Sequence, residues 1–258
     1  MIPKKIHYCW LSGDPVPAKL AECMLSWKTR LPDYEFKLWD KTQFDINSVY
    51  WVKEAFETKK YAFAADFIRL YALYSEGGIY LDMDVEVIKS LDDLLNREYI
   101  LGYEKEKGIE AGIMGTTQGA GWVKKCLDYY TDRHFVNPDG SFNTRPLPKI
   151  IYSALKDDIK SMDIFSNEVL TAKSYYTGEY NITDNTYTIH HFAGSWLSPV
   201  EQLSYTIRQR IPLLPNKAKG HIAKVLAIGK INGIRQAIKD ELRWITHNLS
   251  SIINSKKR

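Results

Sequence analysis

Asp82, Asp84 and Glu86 interrupt an apolar run at alternate positions in EGGIYLDMDVEVI, Glu76 to Ile88. Read as a strand, the run throws all three carboxylates to one side and Met83 and Val85 to the other. Carboxylates gathered on a buried face need positive company. One candidate is a hard divalent ion such as Mn²⁺ or Mg²⁺, which takes oxygen ligands and keeps positions open for substrate phosphates. The alternatives are a set of cationic side chains, or a strand face turned to water. An isolated Asp-x-Asp occurs by chance in many chains, so the neighbours have to decide.

The preceding segment, YAFAADFIRLYALYSEGG, reads as a helix whose only charges before Glu76 are Asp66 and Arg69. Three residues apart, they share one helical face. Tyr61, Phe63, Phe67, Ile68, Leu70, Tyr71 and Leu73 leave that helix little surface for water. A buried unpaired charge costs roughly several kcal/mol, so the two must satisfy each other or a ligand. One reading is an ion pair bracing helix to sheet; the other is a pair facing a polar ligand near the metal.

The elements around these residues alternate. Strand patterns fall at 3–11, 34–39, 79–81, 85–88, 99–103, 112–116 and 186–192. Helical spacing falls at 17–30, 48–58, 61–76, 91–96, 121–132 and near 147–156, and Gly77-Gly78 is a stop signal for the third. Alternation of this kind predicts an α/β domain over 1–200. From 201 the chain reads as helix, broken by IPLLPNKAKG, with a basic amphipathic run over 221–253.

Asp66-x-x-Arg69, an apolar helix, and Gly77-Gly78-Ile79-Tyr80-Leu81-Asp82-Met83-Asp84 together resemble the signature of the DXD-containing sugar transferases of glycosyltransferase family 32, of the capsular polysaccharide synthesis type. More distantly they resemble the catalytic domains of the large glucosylating bacterial toxins. IPKKIHYCWLSG is similar to that family's first strand and HHFAGSW, His190 to Trp196, to its last motif; the likeness runs from residue 2 to about 197. It implies a Rossmann-like, GT-A type nucleotide-sugar-binding domain with a helical C-terminal extension over 201–258. It also implies a retaining hexosyltransferase using Mn²⁺ or Mg²⁺ and a nucleotide-sugar donor, with a UDP-hexose expected first and GDP-mannose second. Carried across, Trp10 stacks on the nucleobase and Asp66 and Arg69 hold the donor's sugar and ribose. Asp82 contacts the donor near the metal, Asp84 binds the ion, and Ser195 and Trp196 close over the diphosphate. Asp82, Asp84 and Arg69 are thus the candidate catalytic residues. Asp84, Asp82 and His191 are the candidate metal ligands, since only one of the adjacent His190 and His191 can face the site.

Where family members often carry Asn, GIEAGIMG (Gly108–Gly115) offers Glu110 and Ala111, so donor identity does not transfer and Glu110 becomes a candidate sugar or acceptor contact. No carboxylate stands out as a covalent nucleophile, which favours a front-face transfer in which the leaving phosphate helps deprotonate the acceptor. A leaving diphosphate gains negative charge as the glycosidic bond breaks, and positive charge fixed beside it favours that state selectively.

Composition narrows the class further. Seventeen Tyr, nine Phe and seven Trp suit stacking of flat ligands and sugars as well as cores. Cys9, Cys23 and Cys126 are odd in number and far apart, with no CxxC pattern, which points to a reducing, cytoplasmic compartment. Residues 1–200 carry 23 Lys+Arg against 28 Asp+Glu, whereas 201–258 carry 12 against 3. So basic a tail points either to peripheral contact with the inner face of an anionic membrane, where a glycan or lipid-linked saccharide acceptor resides, or to an apolar stripe packed on the catalytic domain with its charges solvated. Two other classes compete. A metal-dependent phosphohydrolase needs more converging carboxylates or histidines than this stretch supplies, and gives Asp66 and Arg69 no task. A non-catalytic nucleic-acid-binding protein fits the tail, but its basic run has few interleaved aromatics and the acidic body repels phosphate; no nucleic-acid partner is expected.

Overall fold

The structure is a computed structural model that describes residues 1–104, 108–194, 197, 199–209 and 216–233, with the side chains of all of these except 208, 209 and 216–219. It divides into two compact units: Met1–Tyr175 with Glu179–Ala193, and Tyr176–Gly178 with Gly194–Arg258.

The first unit is built on a five-stranded mixed sheet. Its strands are β1 (Lys5–Cys9), β2 (Glu35–Trp39), β3 (Gly78–Leu81), β5 (Tyr99–Ile100) and β6 (Ile113–Thr116), in the order β2-β1-β3-β6-β5. Helix α1 (Ala18–Arg30) carries the chain from β1 to its parallel neighbour β2. Helices α2 (Tyr50–Glu57) and α3 (Tyr61–Glu76) then return it past β1 to the parallel strand β3. The direction of winding therefore reverses between β1 and β3. In open α/β sheets the C-terminal ends of strands at such a reversal form the usual ligand crevice. Strands β6 and β5 add antiparallel. Side chains alternate across β3: Ile79 and Leu81 enter one apolar cluster with Trp27 of α1, and Tyr80 enters the other with Ile68 of α3. The α/β, Rossmann-like expectation is met.

Helix α3 is the central brace. Phe63, Ala64, Ala65, Ile68, Leu70, Ala72 and Leu73 are buried, so most of its circumference meets protein. It ends where expected, at Gly77, which adopts φ +66° and donates its N–H to the Leu73 carbonyl at 3.0 Å. A Cβ there would stand 2.6 Å from the Gln118 nitrogen, so both backbone angle and space require glycine. Fully buried His7 donates from Nε2 to the Gly77 carbonyl at 2.7 Å and accepts from Trp39 Nε1 at 3.0 Å. Burial holds its pKa below the usual histidine value, and the neutral ring pins the helix end to the sheet.

The run through the aspartates is not one strand. After Leu81 the chain turns, with the Val85 N–H donating to the Asp82 carbonyl at 3.0 Å, and enters a second sheet as β4 (Val85–Val87). There it pairs antiparallel with β7 (Thr188–His190), Val85 opposite His190. Asp82 and Asp84 thus sit on the turn between two sheets, while Met83 and Val85 are buried as anticipated. Helices α4 (Gly121–Asp128) and α5 (Leu147–Leu155) and the short α6 (Asn167–Leu170) complete the unit; α6 lay in no expected element.

In the second unit α7 (Pro199–Gln209) packs against α8 (Asn216–Asn232). The helix expected over 221–253 starts earlier, at Asn216, and stops within that run at Asn232, before Gly233 at φ +88°; the part from 234 onward lies outside the described residues. Among the described residues no helix is long and apolar enough to cross a membrane.

Candidate active site

Two groups of side chains meet at the turn that carries the aspartates. In the first, Asp82 is fixed through both oxygens. Oδ2 accepts from Arg69 Nη1 at 3.1 Å, and Oδ1 accepts from the Tyr80 hydroxyl at 2.8 Å. Arg69, only 6% exposed, also donates to the Ala111 carbonyl at 2.8 Å, lies 4.6 Å from the centre of the Tyr80 ring and pairs with Asp66 at 3.3 Å. Burial opposes its charge, but Asp82, Tyr80 and Asp66 hold its pKa raised. Burial pushes Asp66 up to about 7, and Arg69, which divides its donors among Asp66, Asp82 and the Ala65 and Ala111 carbonyls, only partly counters that. Helix α3 thus presents Asp66 and Arg69 together as their spacing requires. The bracing contacts are present: Arg69 joins α3 to Asp82 and to the Ala111 carbonyl.

The second group joins distant parts of the chain. Asp84 Oδ1 lies 3.3 Å from His190 Nε2, and Oδ2 accepts the Ala193 N–H at 2.6 Å. His190 turns its other nitrogen, Nδ1, to Glu110, at 3.1 and 3.2 Å from the two carboxylate oxygens. Glu110, 1% exposed, accepts in addition from the Gly112 N–H at 2.5 Å and the Thr171 hydroxyl at 2.7 Å. Burial alone would discharge all three groups. Instead the imidazolium between two carboxylates is held well above the usual histidine pKa, and Asp84 and Glu110 are held low. Gly112 makes room for this arrangement, because a Cβ there would meet His190 Cε1 at 2.6 Å.

Asp82, Asp84 and His190 each offer an atom within 4.8 Å of the others'. Two carboxylates and an imidazole are donors that divalent metal ions take. Glu110 behind His190 supplies the carboxylate that orients a metal-binding imidazole and fixes its tautomer. The donor set fits a divalent ion. His190 takes the place expected for His191, which turns away: its Nε2 pairs with Glu86 at 2.9 Å, and only its backbone N–H reaches the Asp84 carbonyl, at 3.0 Å. The reason is register, since pairing Val85 with His190 puts that side chain over the turn. Glu86 is accordingly a partner of His191. Glu110, a candidate sugar contact on sequence grounds, is buried under His190.

Trp10, at the end of β1, is half-buried against the cluster on the α1 face and donates its indole N–H to the Asp14 carbonyl at 2.7 Å. Ser195 and Trp196 lie outside the described residues. Sequence reasoning missed Tyr80 as the second anchor of Asp82, and Thr171. It also missed Lys173, whose Nζ donates to the His191 carbonyl at 2.9 Å. The one signal available for Glu110 was a lone carboxylate among Gly, Ala, Ile and Met, which a partner had to accompany.

Comparison with known proteins bears on the same region. Residues 17–101, which include α3 and both aspartates, match the family described as "Glycosyltransferase sugar-binding region containing DXD motif". Inositol phosphoceramide mannosyltransferase 3 of Schizosaccharomyces pombe is 31% identical over 162 residues, covering 59% of this chain and 45% of that protein. A mannosyl phosphorylinositol ceramide synthase of Saccharomyces cerevisiae is 32% identical over 131 residues, covering 49% and 34%. The chain therefore spans less than half the length of these curated relatives. Among solved structures, the PaToxG glycosyltransferase aligns with TM-score 0.49 at 18% identity over 63% of this chain and 72% of that one. The ligand-free glycosyltransferase domain of the YGT toxin aligns with TM-score 0.45 at 10% identity over 89% and 91%.

Proposed function

We propose that the protein is a GT-A type, metal-dependent glycosyltransferase of the family 32 kind that moves a hexose from a nucleoside-diphosphate sugar with retention at the anomeric carbon. The observation that carries the reading is the convergence of Asp82, Asp84 and His190 beside Asp66 and Arg69, at the edge where the sheet reverses its winding. The match of residues 17–101 supports it. A divalent ion held by Asp84, Asp82 and His190 supplies positive charge for the leaving diphosphate. The chain does the rest. Arg69 and Tyr80 fix Asp82, Asp66 is positioned for sugar hydroxyls, and Glu110 orients His190. Trp10 stacks on the nucleobase, and Ser195 and Trp196 cover the diphosphate. With Glu110 committed to His190, no carboxylate is assigned as a nucleophile, in keeping with a front-face transfer.

The relatives' names shift the preferred sugar. Both are named for mannosyl products on inositol-phosphoceramide, which favours a mannosyl donor such as GDP-mannose over the UDP-hexose first expected. They favour a lipid-linked acceptor and lend nothing to a capsular one. The test is nucleotide release from GDP-mannose and a panel of UDP-hexoses, with Mn²⁺ or with chelator. Slow release from one donor, abolished by chelator and reduced at least about 100-fold in Asp84→Asn, is expected. No release and no metal-dependent donor binding would remove the reading.

Segment 201–258, with its excess of Lys and Arg, is proposed to hold the protein on the cytoplasmic face of an anionic membrane, each basic residue adding about 1 kcal/mol near the surface. Deleting it should abolish sedimentation with anionic liposomes; equal binding by the truncated chain refutes the idea.

A further inference from the structure

Beside the carboxylates stands a cation that neither the donor set nor the ion pairs absorb. Lys173 is half-buried, in the segment that bridges antiparallel to Tyr180. Among the described residues it forms no ion pair. Its Nζ donates to the His191 carbonyl at 2.9 Å and lies 5.6 Å from the centre of the Tyr180 ring. The N–H of the same His191 donates to the Asp84 carbonyl at 3.0 Å. One residue therefore ties the ammonium to the backbone of a metal-ligand aspartate. The charges that act on Lys173 are Asp84, which favours the ammonium, and Lys19, exposed on the first turn of α1, which opposes it. Lys19 repels Lys173, and the carboxylate that attracts it, Asp84, is already engaged by His190 and the Ala193 N–H. Keeping a lysine half-dehydrated in such company is unfavourable unless an anion completes the set.

We propose that Lys173 is a phosphate-binding residue, seating one phosphate of a nucleoside diphosphate next to Asp84, with Lys19 strengthening the positive field at the entrance. The inference rests on the nucleotide-sugar reading above and assigns a residue which that reading leaves idle. A charge-assisted bond from an ammonium to a phosphate oxygen is strong where water is partly excluded. It also exists only for ligands that carry phosphate. That separates the role from simple bracing through the His191 carbonyl, because bracing affects every ligand of the site alike.

The experiment is calorimetry on the full chain in Mn²⁺, with UDP and GDP and with uridine and guanosine as phosphate-free probes. Lys173→Gln, which can still donate to a carbonyl, should weaken the preferred diphosphate about tenfold and its nucleoside less than about twofold. Lys173→Arg should restore most of the diphosphate affinity. On the wild type, the diphosphate should protect Lys173 from amine acetylation, read by peptide mass, and the nucleoside should not; this arm needs no variant to fold. Equal diphosphate affinity in Lys173→Gln, or equal loss of nucleoside and diphosphate, overturns the assignment while leaving the transferase reading intact. A wild type that binds neither UDP nor GDP overturns both.

Discussion

The two halves of the site solve the same electrostatic problem with different cations. Around Asp82, the positive charge belongs to Arg69, which no accessible pH removes, and the side chains of the group are drawn from one stretch, Asp66 to Asp82. Around Asp84 it belongs to His190, and the partners come from positions 84, 110, 171 and 190. A guanidinium is a permanent fixture, whereas an imidazolium can give up its proton and offer Nε2 as a ligand. The first half is therefore built as a scaffold and the second as an exchangeable seat, where a divalent ion, if bound, would release a proton. The difference lies in which positive charge can be traded: Arg69 beside Asp82 is fixed, whereas His190 beside Asp84 can lose its proton, and the candidate ligand set draws on both halves.

Removing the permanent cation should do the most damage. Arg69→Met leaves Asp82 and the largely buried Asp66 without their counter-charge, and should cost about 3–5 kcal/mol in urea unfolding. A loss below about 1 kcal/mol would mean the scaffold half is not electrostatically built. Next comes the exchangeable seat. His190→Asn, which can still hydrogen-bond to Glu110 and Asp84, should lower Mn²⁺ affinity at least about tenfold in a calorimetric titration. Unchanged affinity would remove His190 from the donor set. The smallest effect belongs to its neighbour. His191→Ala loses a partly exposed pair with Glu86 and an edge contact with Tyr180, and should move Mn²⁺ affinity less than about twofold. If it has the larger effect of the two, the register that places His190 over the turn is wrong.

The halves also differed in how far the sequence disclosed them. Asp66, Arg69 and the aspartates could be found because helical spacing and a glycine stop fix their relations within a few turns of chain. The strand through the aspartates was half right: Met83 and Val85 do point inward, but the chain changes sheets between Asp82 and Val85, and hydrophobic alternation does not see a change of partner. His190 and His191 could not be separated by alternation. Thr188, Ile189 and His190 are all buried, so both faces of β7 are covered and period two carries no information there. Glu110 sits in a loop before β6, with partners 61 and 80 residues away.

By itself the sequence determined the alternating α/β order, the helix that presents Asp66 with Arg69, the two aspartates at the end of β3, and the basic excess of the tail. These are local facts, set by periodicity, spacing and composition. Tertiary structure alone decided that His190 rather than His191 joins Asp84, that Glu110 stands behind it, and that Lys173 donates to the His191 carbonyl. The physical reason is that a buried charge is satisfied by whatever the fold brings within about 3 Å, and for residues this far apart only the pairing of β4 with β7 sets that distance.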